Sequence, residues 1–512
     1  MITPIVPQTY YYRSLSGRLG RFIEFAQTQP PEAVRPLLPT ILTLIQRAAP
    51  YPPLYPLLAN LIMALHPWPP RWGDADAWLP MLRLTVTISQ QLNRPEQEAE
   101  LLAHLAELLW ATNQLTAALE TGQQAVALAG QGGFVLPWAK ASYILYELLV
   151  VPGRAADADQ VAQNAVRWWA TAVTTPIPLA ADHFVTLIQV RALRRRGQFP
   201  EALSLMQPLL SRWEQTPELD AALYAQACAN AGWIYLNTGR YQQAGRHLRQ
   251  AIDLYRQAGD HMMADVVGGD LAWVYWSQGQ FAQAEPLFLT AIARAEKQEF
   301  HELAEFMGNL AAMYMAQGKL REARPYLERQ VELAQRSGQQ GEIIRATINR
   351  GATLLLLGEY EDGLVDVRPG LAYYQAQNHA VMSLLCQMSL AFAYWGMGQR
   401  TEGLPLAEEV LTAAITRFPD LPFLALFARR CLALFHPQAE AIRLLQEALI
   451  QARELGLRLQ EAACLISLSA LVNNHSEQQM FWDEGLRLLQ EMDALAWLEN
   501  SPHTPPFIGM FH

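Results

Sequence analysis

The sequence predicts an all-α fold in which helix pairs stack one after another to form a solenoid. Three observations predict it: glycines recur at a nearly constant spacing, apolar residues around each glycine follow helical periodicity, and the alternation typical of strands is missing. The chain has 512 residues, of which 51% are hydrophobic. That length is enough for a long repeat array, and that composition is too apolar for a disordered chain.

A ladder of turn residues defines the repeat. Successive turns lie 40, 39, 40 and 40 residues apart, at Gly239, Gly279, Gly318, Gly358 and Gly398. Upstream, the ladder continues at a similar interval through Gly197, Gly153, Asn113 and Gly73. Downstream the pattern weakens, although residues 431–449 and 467–489 each match one further unit. A period of this length is typical of solenoids built from one repeated supersecondary unit.

In each repeat, the sequence pattern predicts two helices joined at the ladder residue. The first helix is apolar and ends at the glycine, where a left-handed backbone suits a residue without a Cβ atom. A tyrosine four positions before the glycine bridges the pair and keeps its hydroxyl hydrated, as at Tyr235, Tyr275, Tyr314 and Tyr394. An alanine early in the second helix lets the two helices approach closely, as at Ala244, Ala284 and Ala323.

The N-terminal part of the chain is less regular. Residues 1–75 predict divergent repeats that cap the array, because the end face of a solenoid has no neighbouring repeat. Prolines in this part should terminate helices, which are expected over 14–28, 32–48, 54–66 and 76–92. The array itself is expected to span residues 76–498, with its clearest repeats in 180–410, and residues 499–512 are expected to form a flexible tail.

A small residue also lies three positions before the tyrosine position of each clear unit, at Gly232, Ala272, Ala311, Gly351 and Ala391. Together with the tyrosine, the glycine and the alanine, it forms a pattern that resembles the tetratricopeptide repeat. The period exceeds the usual ~34 residues of that family, and is similar to the long repeats of kinesin light chains and of the sensor region of the maltose-regulon activator. The resemblance implies a right-handed superhelical solenoid with a concave groove.

The resemblance also selects candidate groove residues. In tetratricopeptide repeats, side chains ten, six, three and two positions before the glycine face the groove. Transferred to this chain, these offsets select aromatic and apolar residues through the middle and arginines at one side, namely Trp233, Trp273, Trp276, Met315, Phe392, Trp395, Arg191, Arg194 and Arg195. The tryptophans would anchor an apolar segment and the arginines would pair with an acidic group. The alternative stays open that these rings are core, as aromatic stripes at helical spacing usually are.

The charge pattern limits the class of partner. The net charge of −10 is spread along the chain, so nucleic acid is not an expected partner. One basic cluster, "RALRRRG", contains Arg191, Arg194, Arg195 and Arg196. It has two interpretations, both open: a helix C-terminus that favours positive charge, or an anchor for a carboxylate or phosphate group.

Motifs for catalysis are weak. The string "HELAE" places His301 and Glu305 one helical turn apart with Glu302 between them, which resembles half of a zinc site. It has a glutamate where a zinc protease has its second histidine, and the sequence offers no obvious third ligand. Neither a P-loop nor a nucleophile elbow occurs in the sequence. We therefore expect no catalytic residue, no cofactor and no metal site.

Targeting signals are also missing from the sequence. Its four cysteines show no metal-ligand spacing and are expected to be reduced thiols inside helices: Cys228, Cys386, Cys431 and Cys464. The N-terminus lacks the pattern of a signal peptide, and no apolar run is long enough to cross a bilayer. The sequence therefore predicts a cytoplasmic protein without a membrane partner.

These observations favour a non-enzymatic scaffold that binds a peptide or protein segment in an aromatic concave groove. The alternative is a ligand-responsive regulatory or sensor module that acts on a separate effector in signalling or transcription, as the resemblance to the maltose-regulon activator implies. A third hypothesis, a hydrolase without a recognisable motif, depends on a metal ion at His301. Homo-oligomerisation is compatible with each of them.

Overall fold

Helices account for the regular structure of this chain. The computed structural model describes residues 7–500, apart from 30, 67, 69–73, 113, 151–153, 173–177, 197, 217–219, 239, 279, 299–302, 339, 378 and 420. Within these described residues, the elements are α-helices and two short 3-10 turns, without a strand. The prediction of an all-α fold is therefore confirmed.

The helices follow one another with short connections. The N-terminal ones are α1 (Pro7–Thr28), α2 (Pro31–Val34), α3 (Leu38–Ala48), α4 (Tyr55–Leu65), α5 (Ala75–Gln91), α6 (Pro95–Ala111), α7 (Leu115–Gly132), α8 (Val135–Val150) and α9 (Ala155–Ala172). The next are α10 (Leu179–Arg195), α11 (Phe199–Gln215), α12 (Ala221–Asn237), α13 (Tyr241–Gln257), α14 (His261–Ser277), α15 (Phe281–Gln298), α16 (Leu303–Gln317), α17 (Leu320–Ser337) and α18 (Gln340–Leu356). The last are α19 (Tyr360–Ala376), α20 (Ala380–Gly396), α21 (Arg400–Thr416), α22 (Pro422–Ala433), α23 (Gln438–Glu454), α24 (Arg458–Leu471), α25 (His475–Glu491) and α26 (Ala496–Asn500).

The chain forms two compact units. Unit one comprises Met1–Val274 and Arg294–His301, and unit two comprises Tyr275–Ala293 and Glu302–His512. Within each unit, consecutive helices pack as pairs, and the first helix of one repeat also contacts the first helix of the next. In unit one α8 contacts α10 and α10 contacts α12, whereas in unit two α16 contacts α18 and α18 contacts α20. Stacked helix pairs, the core of the sequence prediction, are thus present in both units.

Three ladder glycines show why the first helix ends where it does. Gly318, Gly358 and Gly398 have φ angles of 80°, 85° and 71°, in the left-handed region that disfavours residues with a Cβ atom. The residue after each glycine donates its N–H to the carbonyl of the tyrosine position, for example Lys319 to Tyr314 at 2.9 Å. These bonds close the helix end and turn the chain into the second helix. The other ladder residues, from Gly73 to Gly279, lie outside the described residues.

Small residues occur where the paired helices approach most closely. Ala244, Ala284 and Ala323 are fully buried. A Cβ atom added at Gly232 would lie 2.6 Å from Leu248 of the second helix. The predicted packing face of each pair therefore follows from side-chain size, because a larger residue would push the helices apart.

The N-terminal helices agree with the sequence pattern in position but differ in one detail. The helix expected over 32–48 is interrupted, because a 3-10 turn at Arg35–Leu37 separates α2 from α3. Pro36 and Pro39 explain the interruption: each lacks the N–H that a continuous helix would need, and Pro39 lies in the first turn of α3. The helix expected over 14–28 starts earlier, at Pro7.

Each unit also contains contacts between segments that are distant in the sequence. In unit one, Glu32 pairs with His261, at 2.6 Å between Oε1 and Nε2. In unit two, Trp497 of α26 donates its indole N–H to the carbonyl of Ala316 at 3.0 Å, and Gln317 donates to the carboxylate of Asp493 at 2.9 Å. The C-terminal segment of unit two is thereby held against the end of α16.

Two further expectations concern the cysteines and membrane-spanning helices. Cys228, Cys386, Cys431 and Cys464 are buried free thiols, as the sequence predicts. Among the described helices, none combines the length and the apolar character that a membrane-spanning segment requires.

Candidate partner-binding groove

Three consecutive first helices of unit one, α8, α10 and α12, bring together polar and aromatic side chains at the offsets selected from the sequence. Glu147, Arg191 and Trp233 each lie six residues before a ladder residue. Arg191 forms an ion pair with Glu147 of the preceding repeat. The Cζ atom of Arg194 lies 3.5 Å from the centre of the Trp233 ring in the following repeat. The offsets therefore select residues that contact one another from repeat to repeat.

Six residues of these three helices form what we call the groove surface: Tyr143, Glu147, Arg191, Arg194, Asn230 and Trp233. Arg194 donates a hydrogen bond to Oδ1 of Asn230 at 2.7 Å, and the amide of Asn230 donates to the backbone carbonyl of Gln226 at 2.9 Å. The guanidinium of Arg191 lies 5.4 Å from the ring centre of Tyr143. A carboxylate, an amide, two arginines and two aromatic rings are thus joined by direct contacts.

Arg191 and Arg194 differ in how their positive charges are compensated. Burial lowers the pKa of Arg191, but the carboxylate of Glu147, through its charge and hydrogen bond, outweighs that effect and raises the pKa above its ordinary value. Burial, followed by the positive charge of Arg191, lowers the pKa of Arg194 to about 9, although Asp270 and Glu147 act in the opposite direction. Arg191 is therefore compensated by a direct carboxylate partner, whereas the contacts of Arg194 are with an amide and a ring. An added anion would stabilise the charged form of Arg194.

A series of hydrogen bonds connects buried Trp213 to Tyr143 of the groove surface. The indole N–H of Trp213 donates to Nδ1 of His183 at 3.3 Å. Because an indole nitrogen only donates, His183 carries its proton on Nε2, which donates to Oε1 of Gln226 at 2.8 Å. The amide of Gln226 then donates to the hydroxyl of Tyr143 at 3.1 Å. Every member has a complementary neighbour, so the chain orients Tyr143 and the backbone beside Asn230.

The third arginine of the cluster lies differently. Arg195 forms an ion pair with Asp159 of α9, the second helix of the preceding pair. Arg196 approaches the same carboxylate at 3.8 Å. The cluster therefore divides: Arg191 and Arg194 lie on the groove surface, and Arg195 links two neighbouring helix pairs.

The predicted tryptophans of the next repeat are half-buried. Trp273 belongs to unit one and Trp276 belongs to unit two. Their role in binding stays a prediction.

The predicted groove residues of unit two are more enclosed. Met315 and Phe392 are 8% and 2% exposed, and Trp395 is half-buried. Thr353 donates to the sulfur of Met315 at 3.1 Å, while Phe392 stacks on Trp395 and meets the edge of Tyr360. In this conformation a partner would not reach Met315 or Phe392, so a binding role for them requires unit two to open. That role also stays a prediction.

Sequence reasoning missed several residues of this site. Glu147 occupies the same offset before Gly153 that selects Arg191 before Gly197, so extending the register by one repeat would have found it. Asn230, Gln226 and His183 lie at offsets outside the family pattern, and only the structure connects them.

The string "HELAE" begins at His301 and Glu302, which lie outside the described residues, while Glu305 is exposed.

Comparison with known proteins supports the repeat assignment. The family model for the tetratricopeptide repeat matches residues 189–257, 234–297 and 302–362. A search of curated proteins finds no significant match.

Several solved structures show partial similarity to this chain. A Rap protein complexed with competence and sporulation factor is 13% identical, with 69% of this chain and 99% of that chain covered and a TM-score of 0.44. Kinesin-light-chain-like repeats of Podosopora anserina are 22% identical, with 47% and 96% covered and a TM-score of 0.28. BtubC (BKLC) from P. vanneervenii is 19% identical, with 44% and 92% covered and a TM-score of 0.36. The parts of the chain that match the tetratricopeptide-repeat model, residues 189–297 and 302–362, lie in the region of stacked helix pairs.

Proposed function

We propose that this chain is a non-enzymatic scaffold that binds an extended peptide segment with an acidic group on the groove surface of unit one. The observation that carries the proposal is Arg194, whose guanidinium lies over Trp233 at 3.5 Å and whose pKa is lowered to about 9. A carboxylate of the partner would accept hydrogen bonds from Arg194 and restore its pKa. Arginine beside an aromatic ring is also the combination that dominates binding energy at many protein interfaces.

The remaining groups suit a peptide rather than a small anion. Asn230 is 4% exposed and accepts from Arg194, so it positions the guanidinium for a partner and does not contact the partner itself. The half-buried ring of Trp233 offers apolar area for a side chain next to the acidic group. The ion pair between Arg191 and Glu147 fixes the charge beside the site and disfavours a partner with several adjacent carboxylates.

The proposal is tested by selecting binders from a displayed library of random peptides with free C-termini. We expect the selected peptides to contain a carboxylate next to an apolar residue. Their affinity should fall at least about tenfold for Arg194→Gln and for Trp233→Ala, as expected for residues that dominate an interface. Fluorescence anisotropy with one labelled peptide measures both effects, and circular dichroism verifies that the variants are folded.

Arg246→Gln is the matched control, because Arg246 is exposed on α13, the second helix of the pair that carries Trp233. It removes the same charge from the neighbouring repeat without touching the groove surface. The proposal is wrong if the selected peptides are neutral or basic, or if Arg194→Gln binds them as tightly as Arg246→Gln does.

A further inference from the structure

Two histidines and a glutamate meet near the N-terminal end of the unit-one array. His66 is the residue that follows the end of α4, while His104 and Glu107 lie one turn apart on α6. One ligand atom of each, two imidazole nitrogens and a carboxylate oxygen, can be chosen so that all three lie within 4.8 Å of one another. The segments that supply them are 38 residues apart (104 − 66), so the cluster is a product of folding and not of a local motif.

The geometry of the two imidazoles is unusual for a simple packing contact. Their ring centres are 3.6 Å apart with an interplanar angle of 52°, and only 9% of His66 and 5% of His104 is exposed. Two buried imidazoles this close together offer ring nitrogens to a single small volume, which is the arrangement that a shared metal ion requires. Glu107 is exposed and contributes a carboxylate oxygen to the cluster.

We propose that His66, His104 and Glu107 bind one divalent transition-metal ion of the zinc class. Two imidazole nitrogens and one carboxylate oxygen form the ligand set that zinc accepts when water fills its remaining position. Magnesium and calcium prefer all-oxygen sites and are poorly matched to a pair of imidazoles. The cation would also balance the charge of Glu107.

Lys140 of α8 sets the strength of this site. Its ammonium nitrogen lies 3.0 Å from Nε2 of His104 and 3.7 Å from the carboxylate of Glu100. An ammonium group only donates, so at this position it competes with a metal ion for the imidazole and repels the incoming cation. Glu100 offers Lys140 an alternative partner when the metal binds. The arrangement therefore predicts a site weakened by Lys140 and strengthened by its removal.

The experiment is a zinc titration of the full chain after treatment with a chelator, measured by isothermal titration calorimetry at pH 7.5. We expect one saturable site in the wild-type protein and weaker binding by at least about tenfold in Glu107→Gln, which removes one ligand charge. Lys140→Met should bind zinc more tightly by a similar factor. Titration with cobalt in place of zinc adds a readout, because ligand-field absorption reports the coordination geometry directly.

The variants are chosen so that failure to fold does not decide the outcome. Glu107 is exposed, so its replacement should leave the fold intact, and Glu96→Gln, an exposed glutamate at the other end of α6, is the control that should bind zinc like the wild type. The proposal is overturned if the wild-type chain shows no saturable zinc site, if Glu107→Gln matches Glu96→Gln, or if Lys140→Met does not tighten binding. None of these outcomes depends on peptide binding at the groove surface.

Discussion

His183 lies fully buried between Trp213, a donor that requires its neutral form, and Gln226, an acceptor that tolerates either form. Burial lowers its pKa to about 4, and the nearby positive charge of Arg191 acts in the same direction, against the hydrogen bond to Gln226. Protonation would place a hydrogen on Nδ1, which accepts from Trp213, so the hydrogen-bond chain beneath the groove surface would break. At the residue scale, the neutral state of one imidazole therefore supports the position of Gln226 and Tyr143.

This arrangement predicts a pH-dependent stability. The folded pKa of about 4 is below the ordinary value of 6.5, so between these values the unfolded chain binds a proton that the folded chain does not. The free energy of unfolding should therefore fall as the pH drops through this window, by about 2 kcal/mol between pH 7 and pH 5. Urea unfolding at the two pH values measures this loss.

The matched variant for this prediction is His183→Gln, which keeps a hydrogen-bonding side chain without an imidazole. It should be less stable at pH 7 and should lose about 2 kcal/mol less than the wild type on acidification. An equal loss in both proteins would show that His183 is not the group responsible. A histidine ring signal of the wild type that titrates near pH 6.5 at this position would show the same.

At the scale of single elements, the ends of the first helices offer a matched pair of glycines. Gly318 and Gly358 have φ angles of 80° and 85°, so alanine is strained at either position. A Cβ atom at Gly358 would meet open space, whereas at Gly318 it would lie 2.4 Å from the backbone nitrogen of Trp497. One substitution therefore tests backbone strain alone, and the other tests strain together with the contact to the C-terminal segment.

We expect Gly358→Ala to reduce the free energy of unfolding by about 1–2 kcal/mol, the cost of a left-handed residue with a Cβ atom. Gly318→Ala should lose more, because α26 must also move away from α16. Limited proteolysis should then cleave the C-terminal segment of Gly318→Ala faster than that of Gly358→Ala. Equal stability and equal cleavage in the two variants would contradict the contact.

At the scale of the whole molecule, the fold could be predicted because its determinants are local. Each helix pair is specified within about 40 residues by helical periodicity, small packing residues and a turn residue, and the same pattern recurs. The interruption of the helix expected over 32–48 follows from Pro36 and Pro39, whose effect on an N-terminal turn could have been recognised from the sequence.

The candidate site was predictable only in part, for a physical reason. Arg191, Arg194 and Trp233 follow the repeat register, and a register transfers from one repeat to the next. The enclosure of Met315 and Phe392 depends on packing between repeats, such as the contact of Phe392 with Tyr360, which no single repeat encodes. The cluster of His66 with His104 joins segments that share no motif, so sequence spacing gives no signal for it.

The central claim, that Arg194 pairs with an acidic group of a bound peptide, is tested most directly by a double-mutant cycle. One selected peptide and its variant with glutamine in place of the acidic residue are titrated against the wild-type chain and Arg194→Gln. The two changes should each weaken binding, and their coupling energy should be about 1 kcal/mol or more, as for a direct charged hydrogen bond. A coupling energy near zero would contradict the account, because the carboxylate and Arg194 would then act independently.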